Sequence, residues 1–484
     1  MKNALTIRFI HYQPVEWTGI MNTRSFIKKS PLPFSAEALF SWHTRPGAIQ
    51  RLTPPWVHMK IEDASEGVAP DTRVYLKMGK KPFQTPWHAR HTHFEPGRLF
   101  MDTQEKGPFH AWTHSHLFHP TGPDQSIMED RIAYTLPLPP FGDLFGGPFM
   151  EKELERIFAC RHQTLLEDMT AHRRANLKPL RILISGASGL IGSSLSPYLT
   201  TGGHRVLRLV RKKALKGPDE LFWNPETGLI DFKNLEPVDV VIHLAGENIG
   251  QRRWNPSRKR LLIESRRKST ALLAETVSRL DPRPRVFISA SAIGYYGERG
   301  ENILTEEAPP GDLFISEICK VWEETVRSKV DPRIRSLSMR IGVGLSPKGG
   351  ALGELLTPFK LGLGARIGTG FQYMSWIAID DILDAFLHGI ANETLSGPVN
   401  VVSPEPVTNR EFTRTLARVL NRPALFTIPE KAIDLIFGEM GREILLSSAR
   451  VAPEKLVRSG FTFRSPTLEE TLRRILGKNT RRES

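Results

Sequence analysis

Residues 182 to 192 read ILISGASGLIG, an apolar β-type run that delivers the chain straight into Gly186-x-x-Gly189-x-x-Gly192. In this arrangement the first glycine permits a tight turn, the second lets backbone approach a pyrophosphate, and the third lets the following helix pack closely on the strand. The helical stretch SSLSPYL follows, and a second apolar run from Val206 to Val210 completes a βαβ unit. That context, more than the glycines alone, specifies a dinucleotide-binding turn. The competing reading is a plain glycine turn in some other α/β sheet.

A chain of 484 residues with 40% hydrophobic content exceeds one ordinary core, so at least two domains are expected. No run approaches the ~20 apolar residues of a membrane span, and the opening MKNALTIRFIHYQPVEW is too interrupted by polar residues for a secretory signal. Cys160 and Cys319 are the only cysteines, which supplies neither a disulfide framework nor a zinc set, and a cytoplasmic protein is expected. The formal charge of +14 raises the question of nucleic acid. The basic clusters, Arg252-Arg253, Arg258 to Arg260, Arg266 to Lys268 and the tail after Leu472, have few aromatics among them to stack on bases. Solvated helix faces and a phosphorylated cofactor account for them better, so no nucleic-acid partner is expected.

Histidine use divides the chain: 12 of the 15 lie before residue 178. In that first part, short β-type runs (Val74 to Met78, His88 to Phe94, Leu99 to Thr103, Ala111 to His119, Ser126 to Leu136) alternate with turn residues, as in an antiparallel sheet. Apolar residues at helical spacing from Glu151 to His172 predict a closing helix. A polar connector, Arg173 to Lys178, then leads to strands at Leu180 to Ser185, Arg205 to Val210, Val238 to Leu244, Arg285 to Ser289 and Arg335 to Ile341. Helices at Ser257 to Arg279 and Ile315 to Arg327 fall between them, the order of a doubly wound sheet. Proline-rich turns after Asp380 suggest a small C-terminal lobe. His91 and His93, or His114 and His116, share one strand face by their spacing. With no cysteine nearby and the carboxylates scattered, these are expected to line a cavity, and no metal site is expected.

The signatures GASGLIG (186 to 192), HLAGENIGQRRW (243 to 254), SASAIGYYG (289 to 297), ICKVWE (318 to 323), RIGVGLSPKGGAL (340 to 352), FQYMSWIAIDD (371 to 381) and GPVNVVSPEPVTNREF (397 to 412) resemble the epimerase-family branch of the atypical, extended short-chain dehydrogenase/reductases. The earlier segments GPFHAWTHSHLF (107 to 118) and DRIAYTLPL (130 to 138) resemble a START/SRPBCC helix-grip domain. The resemblances imply an α+β helix-grip domain over residues 22–172, and a Rossmann domain over 179–477 with a C-terminal lobe from about 398.

In such a site the residue after the second strand selects the cofactor: an acid holds a ribose hydroxyl, whereas Arg accommodates a 2′-phosphate. This chain has Val210-Arg211-Lys212-Lys213 and no acid, so NADP(H) is expected, with a solvated basic turn as the other reading of Arg211. The turn residues Gly186, Ser188, Gly189, Leu190, Ile191 and Gly192 are expected to hold the cofactor. The resemblance adds Leu244, Ala245 and Gly246, whose strand-end neighbour His243 is read as packing, and Arg266, which reaches the cofactor or else lies exposed.

A standard reductase of this class pairs a Ser with Tyr-x-x-x-Lys, the lysine tuning the phenol for proton transfer. Ser291 fills the first place, but Ile315-x-x-x-Cys319 stands where the Tyr and Lys belong. Tyr295 or Tyr296 is the expected substitute phenol, with Glu247 or Lys320 to tune it, and Asp380 or Asp381 is read as a helix N-cap. The sequence thus supports an NADP(H)-dependent oxidoreductase or epimerase acting on a small carbonyl or sugar-like substrate. The rival is a non-catalytic NADPH-binding sensor or scaffold whose first domain holds a hydrophobic ligand or partner.

Overall fold

The computed structural model describes residues 23–64, 67–80, 82–137, 146–212, 214, 217–231 and 237–478. The opening segment MKNALTIRFIHYQPVEW, Lys213 and the end of the basic tail lie outside the described residues. The chain groups into two compact units, one reaching Glu37 and resuming over Lys60–Glu155, the other comprising Ala38–Met59 and everything from Arg156. The polar connector at 173 to 178 therefore lies within the second unit.

The first unit is built on seven strands: β1 (Arg24–Leu32), β2 (Met59–Ala64), β3 (Arg73–Met78), β4 (Thr85–Glu95), β5 (Leu99–Lys106), β6 (Ala111–Gly122) and β7 (Gln125–Thr135). Their order in the sheet is β1-β7-β6-β5-β4-β3-β2, with antiparallel pairing from β1/β7 across to β3/β4. The sequence expectation holds for β3 to β7. It missed β1 and β2, whose polar residues, as in RSFIKKSPL, hide the alternation. Between β1 and β2 come the helices α1 (Ala36–Thr44) and α2 (Ala48–Leu52). The expected helix from Glu151 to His172 is found longer, as α3 (Gly147–Ala175), with Leu154, Phe158 and Leu165 buried.

The second unit carries a doubly wound sheet. Its strands are β8 (Arg181–Ser185), β9 (Arg205–Val210), β10 (Glu220–Asn224), β11 (Leu229–Ile230), β12 (Val240–His243), β13 (Val286–Ala292), then Arg335–Ile341 and Gly397–Val401. The order runs β11-β10-β9-β8-β12-β13, then Arg335–Ile341, then Gly397–Val401. Only the β10/β11 edge is antiparallel among these pairs. Alternation of side chains feeds two apolar layers. Ile182, Ile184, Val240, Ile242 and Ile288 join Leu195, Tyr198 and Leu199 of α4 (Gly192–Thr201) and Ile382, Leu383 and Phe386 of α8 (Ile379–Ala391). Leu183, Val241 and Phe287 face the other way, onto Leu273 and Val277 of α5 (Pro256–Val277) and Val326 of α6 (Phe314–Lys329). A separate cluster unites α7 (Gly350–Lys360), α9 (Asn409–Leu420) and the helix Leu468–Ile475. The lobe expected from about 398 thus shares its core with α7, and the strand Gly397–Val401 belongs to the main sheet. No helix among the described residues is long and apolar enough to cross a membrane.

A buried ionic network joins distant segments of this unit. Arg51 of α2 donates to both carboxylate oxygens of Asp168 at 2.7 Å and to Asp380 at 3.0 Å. Arg464 donates to both oxygens of Asp384 at 2.6 Å and to Asp168 at 3.0 Å. Asp381 accepts the backbone N–H of Arg464 at 2.7 Å. Ala378 is the N-cap of α8, so Asp380 and Asp381 lie in its first turn and not at the cap expected for one of them. Fully buried ions repay their desolvation only while paired. Asp168→Ala leaves two buried guanidinium groups short of a partner and is expected to lower stability by about 3–5 kcal/mol. Urea unfolding measures it, and a loss below about 1 kcal/mol would mean that the network is not the strut described.

Candidate dinucleotide and active site

The sheet order reverses between β8 and β12, so the crevice beyond their carboxyl ends is where a doubly wound fold takes a ligand. Two loops meet there at backbone distance. Gly186 has φ +73°, and a Cβ on it would stand 2.7 Å from the carbonyl carbon of Leu244 and 2.8 Å from the nitrogen of Ala245. A side chain at Gly192 would run into the Gly186 carbonyl and the Ala187 backbone. Both positions therefore exclude any side chain. Ser188 and Gly189 are exposed at the turn, Leu190 and Ile191 half-buried, and Gly246 exposed beside them.

Arg211 is exposed immediately past β9, the position expected of a phosphate ligand. Arg266 is buried, which settles its exposure against the surface reading. Its Nη1 donates to the Leu262 carbonyl at 3.0 Å and its Nη2 to that of Glu247 at 3.2 Å. The guanidinium packs 4.9 Å over the Trp322 ring, beside Gly246, where a Cβ would come within 3.4 Å of it. Burial lowers its pKa, and its buried Nε has no hydrogen-bond partner in the protein. A cradle closed to Cβ atoms, an exposed arginine after the second strand and a buried guanidinium with a spare donor fit an anionic dinucleotide.

His243 ends β12 fully buried. Its Nδ1 meets the Ser185 hydroxyl at 2.7 Å and its Nε2 the Thr270 hydroxyl at 2.9 Å. It packs as expected, and burial, reinforced by the charge of Arg266, pulls its pKa down to about 3.

The carboxyl end of β13 bears Ser291, whose Oγ donates to Glu323 Oε1 of α6 at 2.7 Å. Arg340 grips that carboxylate with Nε and Nη2, each at 2.8 Å. Burial alone would lower the Arg340 pKa, but the hydrogen bonds and charge of Glu323 and the contact with Tyr296 hold it above its ordinary value. The Tyr295 ring lies 3.5 Å from the Arg340 guanidinium, face on. Tyr296 is fully buried, donates to Asn400 Oδ1 at 2.6 Å and accepts from Arg340 Nη1 at 3.0 Å. Burial pushes its phenol up to about 12, so of the two candidate phenols Tyr296 is fixed scaffold, whereas Tyr295 is half-buried.

Ile315 packs against Gly294; Cys319 is buried, and desolvation raises its thiol to about 11. Lys320 is exposed, and Glu247 is engaged by Arg258 at 2.8 Å. Sequence reasoning missed Glu323 and Arg340, although both sit inside quoted signatures. The available signal was an arginine within the apolar strand RSLSMRI, which required a buried counter-ion.

Residues 182–402 match the NAD dependent epimerase/dehydratase family, and residues 428–475 match a domain of unknown function, DUF1731. An epimerase family protein of Mycobacterium bovis, Mb2239, is 43% identical over 291 residues, covering 60% of this chain and 96% of that protein. The chain belongs to the epimerase family. Among solved structures, a nucleoside-diphosphate sugar epimerase from Corynebacterium glutamicum matches with TM-score 0.76 and 33% identity, over 93% of this chain and 90% of that one. Human epimerase family protein SDR39U1, solved with NADPH, matches with TM-score 0.57 and 32% identity, over 61% of this chain and 99% of that one. The family likeness through the glycine turn and the Ser291 strand thus agrees with the resemblance read from the motifs.

His243 gives this family member a measurable pH response. Between about pH 3 and 6.5 the unfolded chain binds a proton on this residue that the folded chain refuses, so its contribution to stability is lost as pH falls through that range. His204, lowered to about 4 by burial, acts in the same sense, whereas Asp381, raised to about 7 by burial, acts in the opposite one. His243→Gln removes only the first contribution. The stability difference between variant and wild type should therefore change by up to ~1.4 kcal/mol per pH unit between pH 4.5 and 6. Parallel stability curves from urea titrations at several pH values would contradict the neutral buried imidazole.

Proposed function

We propose that this epimerase-family protein binds NADP(H) and catalyses oxidoreduction or epimerisation of a small carbonyl or sugar-like substrate in the cytoplasm. The observation that carries the reading is the hydroxyl–carboxylate–guanidinium chain Ser291–Glu323–Arg340, set two strands from the glycine cradle at the carboxyl edge of the sheet. NADPH in the human relative's structure and Arg211 after β9 support the choice of NADP(H). The cofactor, when bound, supplies or accepts the hydride. Gly186, Ser188, Gly189, Leu190, Ile191 and Gly192 would hold it, with Leu244, Ala245, Gly246, Arg211 and Arg266.

The chain's own groups divide the remaining work. Arg340 keeps Glu323 ionised by a bidentate bond, which makes the carboxylate a firm acceptor for the Ser291 proton. With its hydrogen so committed, Ser291 presents lone pairs and orients a substrate hydroxyl. Tyr295, held by its face on Arg340, is the phenol placed to exchange a proton with the substrate oxygen. Lacking a lysine partner, it should work more slowly than a Tyr-x-x-x-Lys pair.

Residues 24–175 run in the element order strand, two helices, six strands, long helix. This order supports a helix-grip domain over 22–172, the remaining 179–477 forming the Rossmann part. Buried Trp112, Phe118 and Tyr134 within the sheet favour a hydrophobic ligand there.

NADPH should bind more tightly than NADH by about tenfold or more, the worth of a ~1.5 to 3 kcal/mol charge-assisted contact, and Arg211→Asp should reverse the order. Equal affinities by calorimetry would remove Arg211 from the site. On a panel of carbonyl and sugar-nucleotide substrates, Tyr295→Phe should slow NADPH turnover ~100- to 10,000-fold. Ser291→Ala and Glu323→Gln should also slow it while NADPH affinity stays unchanged. Turnover indifferent to all three would refute the assigned roles. Tight NADPH binding with no turnover on any substrate would instead establish the non-catalytic sensor, which the missing Tyr/Lys pair favours.

A further inference from the structure

The carboxylates that look scattered in the first part of the sequence converge on its histidines in space. Asp102 of β5 stands directly across from His114 of β6, and His116, two residues on, stands directly across from Asp130 of β7. All four side chains therefore occupy one face of the sheet. Asp102, His114 and His116 each bring a ligand atom within 4.8 Å of the other two. From these positions we propose that Asp102, His114 and His116 form a two-histidine, one-carboxylate binding site for a divalent transition cation of the zinc class. Residue spacing along one strand does not show what the neighbouring strands place opposite, so this convergence was not part of the sequence reading that expected no metal.

Three features make this a built site and not a chance meeting of polar groups. His114 Nδ1 faces the Asp102 carboxylate at 3.7 Å, close to the ~3.4 Å that separates two tetrahedral ligands each about 2.1 Å from one ion. Asp130, fully buried, contacts both rings from behind, meeting His114 Nε2 at 2.9 Å and His116 Nδ1 at 2.7 Å. A carboxylate behind a ligating imidazole is the arrangement that fixes ring orientation and raises its basicity toward a metal. Phe100 stacks on the His116 ring at 4.3 Å between centroids and holds it in place.

The chemistry of the set selects the ion. Two imidazoles and one carboxylate suit zinc or its first-row neighbours and discriminate against magnesium and calcium, which require more oxygens. Three protein ligands leave at least one coordination position, and Asp102, the least buried of the three with 17% of its side chain accessible, gives that position a route to solvent. The site lies within the first unit.

The test uses the full chain, stripped by chelator and titrated with Co2+, whose visible ligand-field bands report coordination, and then with Zn2+ to displace it. One equivalent of Co2+ should bind saturably and be displaced by Zn2+. Binding should weaken at least tenfold in Asp102→Asn and Asp130→Asn, and be lost in the double variant His114→Gln/His116→Gln, with NADPH binding retained. Because the double variant could fail to fold, X-ray absorption at the zinc edge of the wild-type chain provides a second reading, in which two imidazoles in the first shell are expected. No saturable cobalt signal, a signal that persists in the folded double variant, or a zinc shell without imidazole would each overturn the proposal.

Discussion

The second unit depends on two strand ends approaching to backbone contact. Gly186 meets Leu244 and Ala245 with no room for a Cβ, and Gly192 folds back on the Gly186 carbonyl. A side chain at Gly186 would part β8 from β12, the centre of the sheet from which the order runs outward in both directions, and one at Gly192 would push α4 away from the turn. The same turn leads straight into the N-terminus of α4. The constraint that closes the sheet thus also creates the anion-binding edge.

Beneath that edge the protein buries polar groups packed one on another. His243, between Ser185 and Thr270, replaces an apolar strand end with a neutral imidazole. It can do so because the adjacent Arg266 charge, like burial, disfavours protonation. Arg266 in turn rests on Trp322 of α6, and one turn of helix separates that tryptophan from Cys319. The face of α6 that in a typical reductase would send a lysine to the cofactor here sends a small buried thiol and, one turn later, Glu323. The loss of the lysine is therefore not a vacancy: Arg266 and Arg340 supply positive charge beside the helix, Arg340 with its donors on protein acceptors and Arg266 with only Nε left over. They can fix geometry and electrostatic potential, yet neither can shuttle a proton.

How much of this was legible follows from what each signal measures. Periodicity reports burial on one element, so β9 and the strand Arg335–Ile341 were readable to the residue, whereas Gly397–Val401, a short edge strand bracketed by turn residues, was visible only as a motif. Glycine spacing reports steric exclusion, so the cradle was readable. Neither signal reports pairing between distant side chains. That is why the Ser291–Glu323–Arg340 chain, the Arg51–Asp168–Arg464 network and the convergence of Asp102 and Asp130 on His114 and His116 all emerged only with the fold. Composition along the chain marked a change near residue 178, but the chain passes from one unit to the other after residues 37, 59 and 155. Ala38–Met59 joins the second unit through Arg51, one residue whose partners Asp168 and Asp380 lie more than a hundred positions away.

Proton exchange at Tyr295 depends on where positive charge lies. A tyrosine acts as an acid near neutrality only if something stabilises its phenolate, and a lysine does this with a free ammonium directed at the oxygen. Here Arg340 lies against the ring face of Tyr295 and spends its hydrogen bonds on Glu323, Tyr296 and the Glu306 carbonyl. A cation over the face holds the ring in place through the quadrupole, but a cation at the edge would be needed to hold the oxygen's charge. The arrangement therefore favours orientation over proton transfer. Proton exchange through Tyr295 is then the demanding step, because the phenol works without the cation that a lysine would direct at its oxygen.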